Sequence, residues 1–243
     1  MDDAGHFPVL LDEVVALLAP GDRPGSAGAD APVLLDCTVG HGGHAEALLT
    51  AAGDQARLVG IDLDRESLLT TKERLARFGS RVRLFEASFA EADEALAQTG
   101  ATAAVAILAD LGVCSAQLDR PERGFSFRSD GPLDMRMRRE GPTAADLVNG
   151  MAEDSLAELI RRYGEERYSR RVARAIVSAR RAEPLRRTGQ LAEIVRRAVP
   201  GPRGRGRERI DPATRTFQAL RIAVNDELTA LETLLGKLGG LLS

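Results

Sequence analysis

The stretch Val33-Leu34-Leu35-Asp36-Cys37-Thr38-Val39-Gly40-His41-Gly42-Gly43-His44 joins a short apolar run to a glycine-rich turn. It predicts a buried strand over residues 33–37, then a turn, then a helix that starts near Ala45. Glycine lets the backbone approach a ligand closely, and a helix N-terminus presents free N–H groups beside it. A second predicted strand ends at Asp62, 19 residues after Gly43, near the spacing of about 20 at which a carboxylate binds a ribose diol. The stretch therefore predicts a site for a polar, nucleotide-like ligand.

Further strands follow in alternation with helices. The second strand covers residues 57–62, the third 82–85 and the fourth 103–109, which ends at Asp110. Several are continuous apolar runs, which is typical of a parallel sheet covered on both faces. In such a sheet ligands lie beyond the carboxyl ends of the strands, so we expect Asp36, Asp62 and Asp110 to converge on one edge.

The pattern and the charge both change after the fourth strand. Residues 120–215 carry 23 Arg and no Lys against 14 acids, a net charge of +9, whereas residues 1–119 carry −11. Arginine pairs with phosphate through a planar fork. A basic helical segment inserted into an acidic domain indicates a nucleic-acid surface beside a small-molecule site, although solvated helix faces explain the charge about equally well. Apolar residues from Phe217 to Leu235 predict one long amphipathic helix.

Composition excludes several classes of protein. No apolar run in the 243 residues approaches the roughly 18 that a membrane span needs. The two cysteines, Cys37 and Cys114, suggest neither a disulfide scaffold nor a four-cysteine metal site. No membrane association and no metal site are therefore predicted, and a reduced, cytoplasmic location is expected.

The charge at the end of the first strand, rather than the glycines, narrows the range of possible ligands. Gly40, Gly42 and Ala45 fit the loose dinucleotide pattern, so the turn alone permits NAD. Asp36 at the strand end would repel a pyrophosphate but would favour a cation. S-adenosylmethionine carries an ammonium and a sulfonium group and is the favoured ligand. An NAD-type oxidoreductase stays open as an alternative.

Seven distinctive segments run along most of the chain. They are residues 6–13, 36–44, 110–119, 123–127, 131–137, 163–167 and 212–222, which read HFPVLLDE, DCTVGHGGH, DLGVCSAQLD, RGFSF, GPLDMRM, YGEER and PATRTFQALRI. In combination they resemble the bacterial 16S ribosomal RNA cytosine-N4 methyltransferase family. The resemblance implies a Rossmann-like S-adenosylmethionine-dependent methyltransferase sheet with a helical insert domain. The cofactor-binding methyltransferase domain is expected over 1–119 and 216–243, and the basic RNA-binding insert over 120–215.

The resemblance also implies a reaction and a set of residues. Methyl transfer from S-adenosylmethionine to the exocyclic N4 of a cytosine in the decoding centre of 16S rRNA, within the small ribosomal subunit, is expected. The implied cofactor contacts are Gly42, Gly43, His44, Asp62, Phe89, Asp110 and Gln117. From the residues alone, Phe89 is better explained as a core aromatic and His44 as a first-turn helix residue.

Two roles are assigned as hypotheses. Asp110, or a backbone carbonyl just after it, would accept a hydrogen bond from the amino group of the cytosine. The enzyme must also extrude this base and align it for transfer. The candidate phosphate contacts are Arg136, Arg138, Arg139 and Arg215. Surface ion pairs of little energetic value are the alternative for each arginine.

The family resembled here continues past the last predicted helix into further sheet strands, whereas this chain ends at Ser243. We therefore expect a C-terminal truncation that leaves the fourth strand as an uncovered apolar edge. Such an edge favours association, for example in a homodimer. The alternative to an active enzyme is a cofactor-binding, RNA-binding module without turnover.

Overall fold

The computed structural model describes residues 8–19, 31–200 and 210–242. The chain divides into two compact units, Met1–Gly112 with Leu228–Ser243 and Val113–Glu227. The boundaries therefore lie away from the predicted ones at 119/120 and 215/216. In the described part of the chain, no helix is both long and apolar enough to cross a membrane.

The first unit contains a four-stranded parallel sheet with the order β3-β2-β1-β4. Its strands are β1 (Val33–Asp36), β2 (Arg57–Asp62), β3 (Val82–Glu86) and β4 (Ala106–Leu108). Its helices up to β4 are α1 (Leu11–Leu18), α2 (Gly43–Ala51), α3 (Arg65–Arg74) and α4 (Ala92–Ala97), with 3-10 helices at Gly53–Gln55, Ala76–Arg81 and Phe89–Glu91. The order reverses between β1 and β4, and ligands of such sheets bind at that reversal. The predicted α/β class is confirmed.

The second unit is helical. Its elements are α5 (Ser115–Leu118), α6 (Ala144–Gly150), α7 (Glu153–Gly164), α8 (Ser169–Arg180), α9 (Thr188–Ala198) and α10 (Ala213–Val224), with a 3-10 helix at Pro121–Arg123. Phe217 and Leu220 of α10 share one core with Ile160 of α7 and Leu191 of α9. This packing explains why residues 216–227 belong to the helical unit.

One predicted helix is two helices. The apolar spacing from Phe217 to Leu235 predicts a single helix, but α10 ends at Val224 and α11 (Glu227–Leu241) begins three residues later. Asp226 between them has a φ of +50°. The Asn225 side chain accepts from the Met137 N–H and donates to the Met135 carbonyl. Asparagine and aspartate tolerate this left-handed turn, which ends the helix while the apolar spacing continues.

Alternate residues of β1 enter separate cores on the two faces of the sheet. Val33 and Leu35 share a cluster with Ile61 and with Leu234 of α11. Leu34 enters another cluster with Leu48 of α2 and its neighbours. This period of two is the strand repeat, and it confirms the prediction of a sheet covered on both faces.

β4 lies at an edge of the sheet and is shorter than predicted. It pairs with β1 over Ala106–Leu108. Beside it is a cavity of about 480 Å³, whose lining includes Leu17, Leu18, Val105, Ile107, Leu235 and Leu242. Leu17 is 82% exposed and Leu235 is 56% exposed. Self-association through this edge stays a prediction.

Candidate functional site

The turn after β1 has the bare backbone that its glycines predict. Gly40 and Gly42 have φ values of +51° and +79°, which residues other than glycine rarely adopt. A Cβ on Gly42 would lie 3.0 Å from the Thr71 Cγ2, and one on Gly43 would lie 2.5 Å from the Pro8 Cγ. α2 begins at Gly43, earlier than predicted, so its first N–H groups lie in the turn.

Asp62, predicted to bind a ribose, ties the end of β2 to this turn. One carboxylate oxygen accepts from the Gly40 N–H at 2.8 Å, and the other accepts from the Asp64 N–H at 2.8 Å. Each oxygen retains a further lone pair that could accept a hydrogen bond from a hydroxyl group. Burial raises the pKa of Asp62 to about 6, although the bonds from Asp64 and Gly40 act in the opposite direction.

Asp36 is 2% exposed and lies at the centre of the acidic edge. One of its oxygens accepts from the Thr38 N–H at 3.1 Å. Burial raises the pKa of Asp36 to about 7, and the negative charges of Asp62 and Asp110 raise it further against the lowering effect of the Thr38 bond. The three acids therefore interact at one edge of the sheet, as predicted from their strand-end positions, and this edge favours a positive charge.

The remaining predicted contacts of the first unit differ in exposure. Asp110 is exposed in the segment after β4, and its N–H donates to the Thr38 hydroxyl at 2.7 Å. Phe89 is 8% exposed and belongs to the core that contains Leu35. The His44 Nε2 is hydrogen-bonded to the Val9 carbonyl at 2.9 Å. His44 thus fixes the segment before α1, whereas His6 and Phe7 of the first matching segment lie outside the described residues.

Gln117 belongs to the second unit. It is 7% exposed on α5, and its side-chain oxygen accepts from the Cys114 N–H at 3.2 Å. The bond closes the first turn of this short helix. Its predicted role in binding the cofactor stays a prediction.

Two of the four predicted phosphate contacts hold the backbone of the second unit. Arg136 makes a two-pronged ion pair with Asp134, with both N···O distances at 2.8 Å, and donates to the carbonyls of Arg139 and Gly141. Arg215 donates to the Glu165 carbonyl at 2.9 Å, at the end of α7. Arg138 is half-buried and Arg139 is exposed. The phosphate role of all four arginines stays a prediction.

Thr38 and Thr71 also shape this edge, and sequence reasoning missed both. Thr71, fully buried on α3, donates its hydroxyl to the carbonyls of Gly40 and Ser67. It supports the glycine turn from a position 31 residues away. Its only sequence signal is a polar residue at a buried helical position, which fits many helices. Among the described residues, no group of three or more His, Cys, Asp or Glu could hold a metal ion.

Comparison with known proteins adds a family and several relatives. The sequence model of the MraW methylase family matches residues 3–243. A protein of Paramagnetospirillum magneticum named ribosomal RNA small subunit methyltransferase H is 50% identical over 96% of this chain and 69% of its own length. Proteins of the same name from a Methylobacterium strain and from Geobacter sulfurreducens are 51% and 50% identical, over 65% and 73% of their own lengths. The chain thus spans 65% to 73% of these relatives.

Proposed function

Because the chain belongs to the MraW methylase family, we propose that it transfers a methyl group from S-adenosylmethionine to the N4 of a cytosine in 16S rRNA of the small ribosomal subunit. The proposal of S-adenosylmethionine as the cofactor rests on the acidic edge formed by Asp36, Asp62 and Asp110. The proposal of an RNA substrate rests on the names of the relatives.

The residues present fit a cationic cofactor. Asp36 is buried and Asp62 is half-buried, and their pKa values of about 7 and 6 reflect the cost of desolvating a negative charge. A positive ligand offsets that cost, and a pyrophosphate would increase it. Asp62 and the backbone of Gly42 and Gly43 would hold the nucleoside part, and Asp36 would favour the charged part. When bound, S-adenosylmethionine supplies an electrophilic methyl group.

Asp110 is proposed as the catalytic acceptor. The lone pair of a cytosine amino group is delocalised into the ring, and one amino proton must leave as N4 gains a methyl group. The Asp110 carboxylate is exposed at the carboxyl edge of the sheet, so it can accept a hydrogen bond from the amino group and then its proton. Holding the extruded base in line with the methyl group would contribute further to the rate of transfer.

The helical unit is proposed as the RNA-binding surface. Residues 120–215 carry a net charge of +9, and arginine forks suit phosphate oxygens. Arg138 and Arg139 lie in the loop that Arg136 holds through Asp134 and through the carbonyls of Arg139 and Gly141. We propose that Arg136 acts by keeping this loop ordered, and that Arg138 and Arg139 present charge to the RNA.

The test measures binding and transfer separately. Calorimetric titration with S-adenosylmethionine and with NAD is expected to give binding of the first alone. Small subunits that lack the modification should accept a labelled methyl group, and digestion of the RNA should yield N4-methylcytidine. Cofactor binding without transfer would instead support the module without turnover.

The role of Asp110 needs its own variants. Asp110→Ala is expected to bind cofactor and to lose transfer by roughly 100-fold or more, as removal of a general base does. Asp54→Ala is a matched control, because the Asp54 side chain is 99% exposed and lies before β2, away from the carboxyl edge. Full turnover by Asp110→Ala would refute the assignment.

A further inference from the structure

Thr38 forms the outermost side-chain link between β1 and the segment after β4. Within the ladder, β1 and β4 are paired up to Asp36 and Leu108. The Cys37 N–H then donates to the Leu108 carbonyl at 2.8 Å. One residue further, the Asp110 N–H donates to the Thr38 hydroxyl at 2.7 Å. A side-chain oxygen thus continues a parallel ladder beyond the point where both strands end.

Thr38 is itself held from the other side. Its N–H donates to a carboxylate oxygen of the buried Asp36 at 3.1 Å. Asp36, Thr38 and Asp110 are therefore connected in series, from the core to the exposed edge. A hydroxyl that is fixed at its backbone loses little further entropy when it accepts a bond, which makes it a suitable anchor.

The segment that Thr38 anchors has few steric restraints. Ala109, Asp110 and Leu111 are all exposed. Gly112 follows with a φ of +143°, and among the described residues no atom beyond its chain neighbours lies within 4 Å of where its Cβ would be. Glycine in open space allows many backbone conformations. The position of Asp110 therefore depends strongly on the bond to Thr38.

We propose that Thr38 is a positioning residue for methyl transfer, which holds the backbone of Asp110 so that its carboxylate stays beside the end of β1. This inference rests on the proposed function, because it assigns Asp110 the acceptor role. Thr38 does not touch the reacting atoms. It acts through Asp110, and small displacements of a reacting group reduce rates strongly.

The matched variants are Thr38→Val and Thr38→Ser. Valine has nearly the same shape as threonine but no hydroxyl oxygen, whereas serine keeps the acceptor. Thr38→Val is expected to speed amide exchange at Asp110 about tenfold and to lower kcat about tenfold, with both KM values within about twofold. Thr38→Ser should keep both the exchange rate at Asp110 and kcat near their wild-type values. Thr233→Val removes an exposed hydroxyl bonded to its own helix and should change neither.

The outcomes separate this inference from the function on which it rests. Unchanged exchange at Asp110 in Thr38→Val, an unchanged kcat, or a failure of serine to rescue would overturn the positioning role. A fall in kcat accompanied by an equal rise in the cofactor KM would also overturn it, since that indicates damage to the glycine turn. A wild-type chain that transfers no methyl group refutes the proposed function, and the positioning role in transfer falls with it. The exchange data then decide only whether Thr38 anchors Asp110.

Discussion

Gly164, the last residue of α7, lies directly against the carbonyl oxygen of Arg215 in α10. A Cβ built on Gly164 would be 2.3 Å from that oxygen and 3.0 Å from the carbonyl carbon. Both atoms are backbone, so neither can move without shifting α10 itself. The absence of a side chain at Gly164 therefore sets how closely the two helices pack.

Gly164→Ala is expected to destabilise the second unit by about 2 to 3 kcal/mol, since overpacking at a tight contact costs that order of free energy. Both tyrosines, Tyr163 and Tyr168, lie in this unit, and the chain has no tryptophan. Urea unfolding followed by tyrosine fluorescence thus reports on it directly.

Gly150→Ala is the control for that substitution. Gly150 also ends a helix, α6, and in the part of the chain that the structure describes no atom outside its own helix and chain neighbours lies within 4 Å of its Cβ position. Alanine there should be neutral or stabilising by up to about 1 kcal/mol, because it favours the helix. Equal effects of the two alanines would show that the contact with Arg215 does not limit packing.

The pH dependence of stability should reveal the buried carboxyl of Asp36. Its pKa is about 7 in the folded chain against an ordinary value of 3.8, so the folded state holds the proton more tightly. Its stabilising contribution is then full below pH 4 and is lost as the pH rises to 7. Asp36 alone should lower the free energy of unfolding by about 1.4 kcal/mol per pH unit in this window, roughly 4 kcal/mol in all. Asp62, whose pKa is raised to about 6, adds to the fall between pH 4 and pH 6.

Asp36→Asn tests this assignment, since asparagine keeps an oxygen that can accept from the Thr38 N–H and cannot ionise. The variant should be more stable than the wild type by roughly 2 to 4 kcal/mol at pH 8 and similar at pH 4. Chemical denaturation at both pH values measures the difference. Asp54→Asn, at a side chain 99% exposed, should leave the slope unchanged, and a wild-type slope in Asp36→Asn would contradict the assignment.

Affinity for the proposed cofactor should rise with pH. A cation favours the ionised forms of Asp36 and Asp62, whose pKa values without ligand are about 7 and 6, so binding releases protons. Between pH 6 and pH 8 the affinity for S-adenosylmethionine is expected to increase about tenfold. Calorimetry in buffers of different ionisation enthalpy counts the protons directly.

S-adenosylhomocysteine, which lacks the sulfonium charge, is the control ligand for the pH series. It should show a smaller dependence on pH than S-adenosylmethionine. Asp36→Asn should flatten both profiles. A steep profile that persists in Asp36→Asn would assign the dependence to another group.

Local patterns predicted the sheet well. The bounds of β2 were predicted as observed, because its apolar run is flanked by clear loop residues. The end of α10 was missed, because Val224 and Leu228 continue the apolar spacing through a turn that depends on Asn225. The convergence of three acids on one edge of the sheet was predicted from their positions at strand ends alone. These acids are Asp36, Asp62 and Asp110.

Contacts between distant positions account for most of what the sequence could not predict. The bond from Asp110 to Thr38 spans 72 residues, and the one from Thr71 to Gly40 spans 31. Threonine at such positions has no distinctive pattern, because its role depends on where a remote segment lies. The same holds for Gly164, whose contact with Arg215 is set by how two helices cross.

The two cysteines should differ in reactivity. Cys37 is 1% exposed, and burial, aided by the charge of Asp36, raises the pKa of its thiol to about 12. Its reactive thiolate form is then scarce as well as inaccessible. Cys114 is only half-buried.

A disulfide reagent at pH 8 should label one thiol rapidly in the folded chain and two in denaturant. Cys114→Ser should abolish the rapid phase and Cys37→Ser should leave it intact, whereas a rapid phase that survives in Cys114→Ser would mean that β1 opens readily at its carboxyl end.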